Sequence, residues 1–325
     1  MATLKDVARE SGLTVGTVSR VLNNRGYISD DARRKVDEAM KKLNYRPNEV
    51  ARSLHRKSTN TIGLIVPHIR HPYFTEMISN LENQAYKKGY RILLCNSQSI
   101  REKEKEYIDI CTGNQVAGII LCSGSVAVEV FDEIEVPVIT IERFVDNGTA
   151  SVECDNRQGG ALAAEKLIAC GCRNLLHFGN IGGVFMPADM RTEGFREVCE
   201  KRKVPFVELM AEQTQYNDLR YSEVIEEALR KYPQTDGLFA NSDLIAAQTL
   251  QVCRKLHISV PEQLRIIGFD DVSIASITTP QLTTIHQPVK EMAEIAMNLL
   301  HDAASGKLVP KRTVLPVSLV ERETT

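Results

Sequence analysis

The chain is 325 residues long, 43% hydrophobic and 25% charged, which excludes a disordered, collagenous or coiled-coil protein and predicts two or three globular domains. No run approaches the roughly 18 apolar residues of a membrane span, the charged start MATLKDVARE has no secretory pattern, and the eight scattered cysteines fit reduced thiols in a cytoplasm better than a disulfide framework. The net charge of −2 conceals an asymmetry: residues 1–57 hold 13 Lys and Arg against 7 Asp and Glu (+6), and the remainder holds 27 against 35 (−8), so a small basic head suited to a polyanion sits on an acidic body.

Three short helices are predicted in the first 45 residues. Thr3 caps the first, with Asp6 three positions on as a variant of the capping box, and Ser11-Gly12 breaks it. Thr14 caps a second helix that runs to about Asn23. Ser29 caps a third, whose first turn carries Asp30 and Asp31, where the helix dipole favours acids. Two short helices around a tight glycine turn, packed by a third, form a helix-turn-helix layout. On the second helix Val18 and Leu22 share one face, and Gly16 and Arg20 lie almost opposite. A small residue beside an arginine lets such a helix lie close in a major groove, where the guanidinium reaches guanine O6 and N7.

The run TLKDVARESGLTVGTVSRVLN, continued by KLNYRPNEVARSL, resembles the DNA-binding signature of the LacI/GalR family of bacterial repressors, and the similarity extends over essentially the whole chain. The resemblance implies Val15, Gly16 and Arg20 as base readers, with Thr3, Thr14, Thr17, Ser19, Asn23 and Tyr27 on phosphates. Pro47 ends helix three, and NEVARSLHRK places Val50, Ala51 and Leu54 on one stripe with Arg52, Arg56 and Lys57 around it. A helix this short is marginal alone and needs a partner. The family implies that two such hinge helices pair in the minor groove, with Leu54 wedged between base steps and Arg52 beside it. The boundaries expected are therefore a helix-turn-helix domain over 1–46, a hinge helix and linker over 47–59, and an effector-binding and dimerisation body over 60–325.

From Thr61 the period changes. The apolar runs TIGLIVP, RILLCNS, VAGIILC, PVITIE, NLLHFGN, GLFANS and LRIIGFD alternate with helices over 74–88, 101–113, 156–170, 189–203, 217–231 and 243–257. Such alternation predicts parallel sheets covered on both faces, with too many strands for one flavodoxin-like unit. The resemblance implies a periplasmic-binding-protein architecture. The expected fold class is thus an all-α helix-turn-helix head plus an α/β body of two doubly wound parallel-sheet lobes. The N-lobe would span about 60–155 plus 286–310, and the C-lobe about 156–285 plus 311–325, with the final strand TVLPVSLVE in the second.

Ligands in such folds sit outside the carboxyl ends of strands. Just past those ends stand Tyr73, Phe74, Glu142, Arg143, Asn241, Ser242 and Asp270, with Arg191 opening a helix and Gln287 in a crossover. Aromatic faces with carboxylates, amides and arginines suit a sugar, whose C–H face stacks and whose adjacent hydroxyls take bidentate partners. The RTEGF and GFDD stretches match family positions that grip the effector, and Glu142-Arg143 resembles the acid–Arg pair of ribose-binding relatives. The family's usual Asn-Asp near 242 is Ser242-Asp243 here, so Asn241 is the alternative amide.

GNIGG at 179–183 is neither a dinucleotide nor a P-loop motif, no G-x-S-x-G occurs, and the Cys170-Gly-Cys172/His177 and His68/His71 spacings fit no common zinc pattern. Neither catalysis nor a metal or cofactor is expected. The resemblance implies a cytoplasmic, homodimeric repressor of a sugar-utilisation operon that binds near-palindromic operator DNA under control of a ribose- or sucrose-type sugar. Two rivals remain: a global catabolite regulator that binds a phosphorylated carrier protein, and a transport-type sugar-binding protein.

Overall fold

Residues 2–23, 26–45, 59–124, 134–143, 148–181 and 185–325 are described by the structure, a computed structural model. The chain divides into a compact unit ending at Thr59 and a second from Asn60 to Thr325.

The head consists of α1 (Leu4–Ser11), α2 (Val15–Asn23) and α3 (Asp30–Lys42). Local chemistry sets every start. The Thr3 hydroxyl accepts the Asp6 N–H at 3.3 Å while the Asp6 carboxylate accepts the Thr3 N–H at 2.9 Å, a complete capping box. Thr14 accepts the Thr17 N–H at 3.1 Å, and Ser29 the Ala32 N–H at 3.3 Å. Gly12, at φ +69°, ends α1 in the left-handed conformation that a side chain would disfavour. Val7, Ala8, Val18, Val21, Ala32, Val36 and Ala39 form the core; Leu22, expected on the buried face with Val18, packs at its edge.

The body begins with β1 (Thr61–Val66), α4 (Pro72–Lys87), β2 (Arg91–Asn96), α5 (Arg101–Gly113), β3 (Gly118–Leu121), β4 (Val138–Ile141) and β5 (Ala150–Cys154). It continues through α6 (Asn156–Ala169), β6 (Leu175–Ile181), α7 (Met190–Arg202), β7 (Phe206–Ala211), α8 (Gln213–Asp218), α9 (Ser222–Lys231) and β8 (Gly237–Ala240). Then come α10 (Asp243–Leu256), β9 (Arg265–Asp270), α11 (Ser273–Ile277), β10 (Thr283–His286), α12 (Val289–Ala304), β11 (Arg312–Leu315) and β12 (Ser318–Val320).

Among the described residues the strands form two six-stranded sheets, ordered β11-β5-β4-β3-β1-β2 and β12-β10-β9-β8-β6-β7. All pairings are parallel except β10 with β12. The central strands β1, β3, β4, β8 and β9 are almost wholly buried, as expected where helices cover both faces. The chain crosses between sheets after β5, after β10 and after β11. On the second crossing α12 returns to cover β3, β4 and β5 of the first sheet and to pack on α4.

The final stretch corrects the expected lobe boundary. Instead of lying wholly in the second lobe, TVLPVSLVE divides: Arg312–Leu315 runs parallel to β5 in the first sheet, and Ser318–Val320 runs antiparallel to β10 in the second. Pro316 separates them because it lacks the N–H that a continuous ladder needs. The apolar pattern also overlooked β5, β7 and β10. In β5 the polar Ser151 and Glu153 are buried, Glu153 accepting from Arg312 at 2.9 Å. In β7 all residues but Ala211 are exposed or half-buried, as suits an edge strand.

Candidate functional site

The carboxyl ends of strands from both sheets converge on a cavity of about 420 Å³. Tyr73, Phe74, Glu142, Arg191, Asn241, Ser242, Asp270 and Gln287 line it, all of them expected from sequence. Pro72 at the first helical position and His71 as cap aim the two aromatics inward: His71 Nδ1 accepts the Tyr73 N–H at 3.3 Å. Burial pushes His71 down to about 3, so it is neutral near pH 7. Tyr73 and Phe74 meet edge to face, with centroids 5.0 Å apart.

The polar wall is organised around Arg191 in the first turn of α7. Its Nε donates to Asn156 Oδ1 at 2.7 Å, its Nη1 donates to the Asn241 carbonyl at 2.7 Å, and its guanidinium lies 3.5 Å above the Phe269 ring. Glu142, at the end of β4, stands 4.0 Å from Arg191 Nη2 and accepts from the Cys154 N–H at 2.7 Å and from Asn156 Nδ2 at 2.8 Å. Asp270, at the end of β9, accepts from Gln287 Nε2 at 2.9 Å. It is held at φ +112°, a conformation that costs of order 1–3 kcal/mol and marks a site rather than a routine turn. Burial raises the affinity of Asp270 and Glu142 for protons, and nearby Arg191 opposes that rise in both.

Four atoms of this wall are buried without a hydrogen-bond partner among the described residues: Tyr73 Oη, Ser123 Oγ, Asn241 Oδ1 and Gln287 Oε1. Buried polar groups are nearly always paired, and each one left alone costs about 1–3 kcal/mol. The cavity is therefore furnished for a guest rich in hydroxyl groups.

Arg143 departs from expectation. It is not part of the lining; its guanidinium points into the first lobe, donating to Glu104 at 3.1 Å and to the Ser123 carbonyl at 2.6 Å, and so braces the wall from behind. Glu142 sits past β4 at φ +53°, outside extended backbone, and the Arg143 that follows turns to Glu104 and away from the cleft. Ser242 uses its hydroxyl to accept the Ile245 N–H at 3.3 Å and cap α10, which leaves Asn241 as the amide with free capacity. The inference from sequence overlooked Asn156, because it follows the overlooked strand β5. It also overlooked Ser123, although it stands just past the end of the expected strand β3, and Tyr216, which no local signal marks. Of the residues considered as metal ligands, His177 packs in a cluster with Phe195 and Phe239, ring centroids 5.1 and 4.8 Å away, inside the core.

In the head, Thr3, Thr14, Val15, Gly16, Arg20 and Tyr27 are exposed, Tyr27 at 95%, while Thr17 and Ser19 are half-buried. Val15, Gly16 and Arg20 share the solvent face of α2, and Arg20 Nε donates to the Gly16 carbonyl at 3.4 Å. Asn23 ends α2. Arg52 and Leu54, with the whole expected hinge helix, lie outside the described residues. Among the described residues no helix is long and apolar enough to cross a membrane.

Comparison with known proteins agrees with this arrangement. Residues 3–48 match the model for bacterial regulatory proteins of the lacI family, and residues 164–325 match that of a periplasmic binding protein-like domain. The ribose operon repressor of Halalkalibacterium halodurans is 35% identical over 326 residues, covering 100% of this chain and 97% of its own. The sucrose operon repressor of Streptococcus mutans is 34% identical, covering 99% of each. Among solved structures, the periplasmic binding protein/LacI transcriptional regulator from Alkaliphilus metalliredigens, complexed with D-xylulofuranose, is 32% identical with a TM-score of 0.74 over 82% of this chain and 99% of that one. The lac repressor dimer bound to operator, at 23% identity and a TM-score of 0.88, shares the fold over 99% of this chain and 98% of its own. A helix-turn-helix head, a two-sheet body and full-length identity above 30% lead to one conclusion: the chain belongs to the lacI family of bacterial regulatory proteins.

Proposed function

We propose that this protein is a cytoplasmic repressor of a sugar-utilisation operon, a regulator rather than an enzyme, whose affinity for operator DNA is set by a small sugar of the ribose or sucrose type held between the lobes. The observation that carries this reading is the set of unpartnered buried oxygens beside Phe74, Glu142 and Asp270. A polyol supplies hydroxyl donors for those oxygens and an apolar face for the ring. The names of the ribose and sucrose repressors, and the pentulose in the Alkaliphilus relative, support the same class.

On the DNA side, Val15, Gly16 and Arg20 read base edges, Thr3, Thr14, Thr17, Ser19, Asn23 and Tyr27 hold phosphates, and Arg52 and Leu54 act from the hinge. Two copies meet a near-palindromic operator. The sugar acts only through its different affinity for two lobe arrangements.

The test begins with operator sites selected from random duplex DNA, then measures binding by gel shift with and without D-ribose, D-xylulose or sucrose. One of these sugars should change the operator affinity at least tenfold. Arg20→Ala should weaken the selected site by about 1–3 kcal/mol and leave random DNA nearly unaffected. Equal losses on both, or no response to any sugar, would overturn the reading.

A further inference from the structure

Asn156 does not line the cavity, yet it joins the groups that do. It is the first residue of α6, two positions past β5, where the chain leaves the first sheet for the second. Its side-chain amide is used at both ends. Nδ2 donates to Glu142 Oε2 at 2.8 Å and to the Cys154 carbonyl at 3.2 Å, and Oδ1 accepts from Arg191 Nε at 2.7 Å and from the Cys154 thiol at 3.4 Å. Glu142 belongs to the first sheet and Arg191 to a helix of the second, and their own closest approach is only 4.0 Å.

The helices are built to allow this bridge. A Cβ on Gly160 would lie 2.7 Å from the Arg191 carbonyl carbon, and one on Gly194 would lie 2.8 Å from that of Arg157. Bare backbone on both helices thus lets α6 and α7 touch and sets Arg191 within reach of Asn156. An amide offers a donor to a carboxylate and an acceptor to a guanidinium from one planar group at any pH, whereas a carboxyl group in its place can do so only while protonated.

We infer that Asn156 is a positioning residue that holds Glu142 and Arg191 in the geometry the ligand meets, and so ties the ligand site to the angle between the two lobes. This inference rests on the proposed sugar-binding reading for its ligand, but not for its geometry. The titratable and charged groups that face Asn156 are Glu142, Cys154 and Arg191, with Asp270 and Tyr73 beyond them.

The test inverts the pair. Asn156→Asp sets two carboxylates against each other, so they must share a proton. Its stability should be near wild type at pH 5 and should fall away as pH rises, with the melting temperature about 4–8 °C below wild type at pH 8. Glu142→Gln alone leaves two amide donors in conflict and should also melt early. The double variant Glu142→Gln/Asn156→Asp restores a donor opposite an acceptor. The introduced glutamine keeps the Cys154 N–H on its Oε1 and offers its Nε2 to the introduced aspartate, whose carboxylate still accepts from Arg191. The double variant should melt above either single variant, and its pH dependence should return to that of wild type. Loss of stability that is independent of pH, or a double variant no better than the singles, overturns the role. Should Asn156→Asp prove unfolded at pH 8, recovery of folding in the double variant decides the same question.

Calorimetry with D-ribose, D-xylulose and sucrose adds the ligand arm. The sugar bound by wild type should bind Asn156→Asp at least 10-fold more weakly at pH 8, and unchanged affinity overturns the positioning role. If wild type binds none of them, the sugar reading fails, and the pH and rescue comparisons still decide whether Asn156 couples the lobes.

Discussion

Gly160→Ala sets helix propensity against packing, and the structure decides the sign. Propensity alone predicts a gain, since alanine in a helix interior is favoured over glycine by about 1 kcal/mol. The new methyl carbon would stand 2.7 Å from the Arg191 carbonyl carbon, with the carbonyl oxygen closer still. Ordinary contact begins near 3.5 Å, so the carbonyl oxygen requires α6 and α7 to separate by more than an ångström along a backbone-to-backbone contact. Overpacking of this kind costs typically 1–3 kcal/mol, and a backbone obstacle cannot yield as a side chain can. Set against the propensity gain, the upper part of that range leaves a net destabilisation of about 1–2 kcal/mol, seen as a melting temperature lower by about 2–8 °C. Separation also draws Arg191 from Asn156 and Asn241, so sugar affinity should fall with stability. Gly113→Ala is the internal control: the last residue of α5 has nothing within 4 Å of its would-be Cβ, and the same change there should be neutral or slightly stabilising. Thermal unfolding of both variants, with and without the sugar that wild type binds, provides the measurement. A Gly160→Ala protein as stable as wild type would refute the claim that this helix crossing positions Arg191.

Two further outcomes follow from buried polar groups. Tyr73→Phe removes a buried hydroxyl that has no partner among the described residues, so the ligand-free protein should gain about 1–3 kcal/mol while the sugar-induced thermal shift shrinks; a loss of ligand-free stability would show that the hydroxyl already has a partner. Asp243, whose carboxylate accepts from Thr284 Oγ1 at 2.5 Å and the Val272 N–H at 2.9 Å, is raised to about 7, chiefly by burial. A carboxyl group raised in the fold binds its proton more tightly there than in the unfolded chain. Its contribution is therefore complete below pH 4 and lost as pH rises through about 7, by at most about 4 kcal/mol. Asp243→Asn, in which the Thr284 hydroxyl reverses to accept, should flatten stability between pH 4 and 7 relative to wild type. His68 and His177, each lowered to about 4 mainly by burial, work in the opposite sense, losing stability as pH falls below 6.5, so the difference between variant and wild type is the quantity to measure.

Much of this protein is written locally. Thr3, Thr14 and Ser29 start their helices through bonds to residues three positions away, and Gly12 ends α1 by its own backbone freedom, so the head could be recognised from a few contiguous residues. Tyr73, Glu142, Asn241 and Asp270 were legible because strand ends in a parallel sheet open on a common edge, which needs only the strand pattern. What sequence could not convey depends on contacts between distant segments. Strand β5 escaped notice because Ser151 and Glu153 look polar, and only its place between β4 and β11 buries them. Glu142 and Arg143 are neighbours in the chain, yet one meets the cavity and the other Glu104, because the direction of a side chain is settled by what packs on each face. The bridge from Glu142 through Asn156 to Arg191 exists only once Gly160 and Gly194 let two helices touch. Sequence by itself determined the head helices and the apolar strands and which residues reach their ends, because those are short-range preferences. Tertiary packing alone decided which side chains face one another across the lobes, because that depends on interhelical distances to within an ångström.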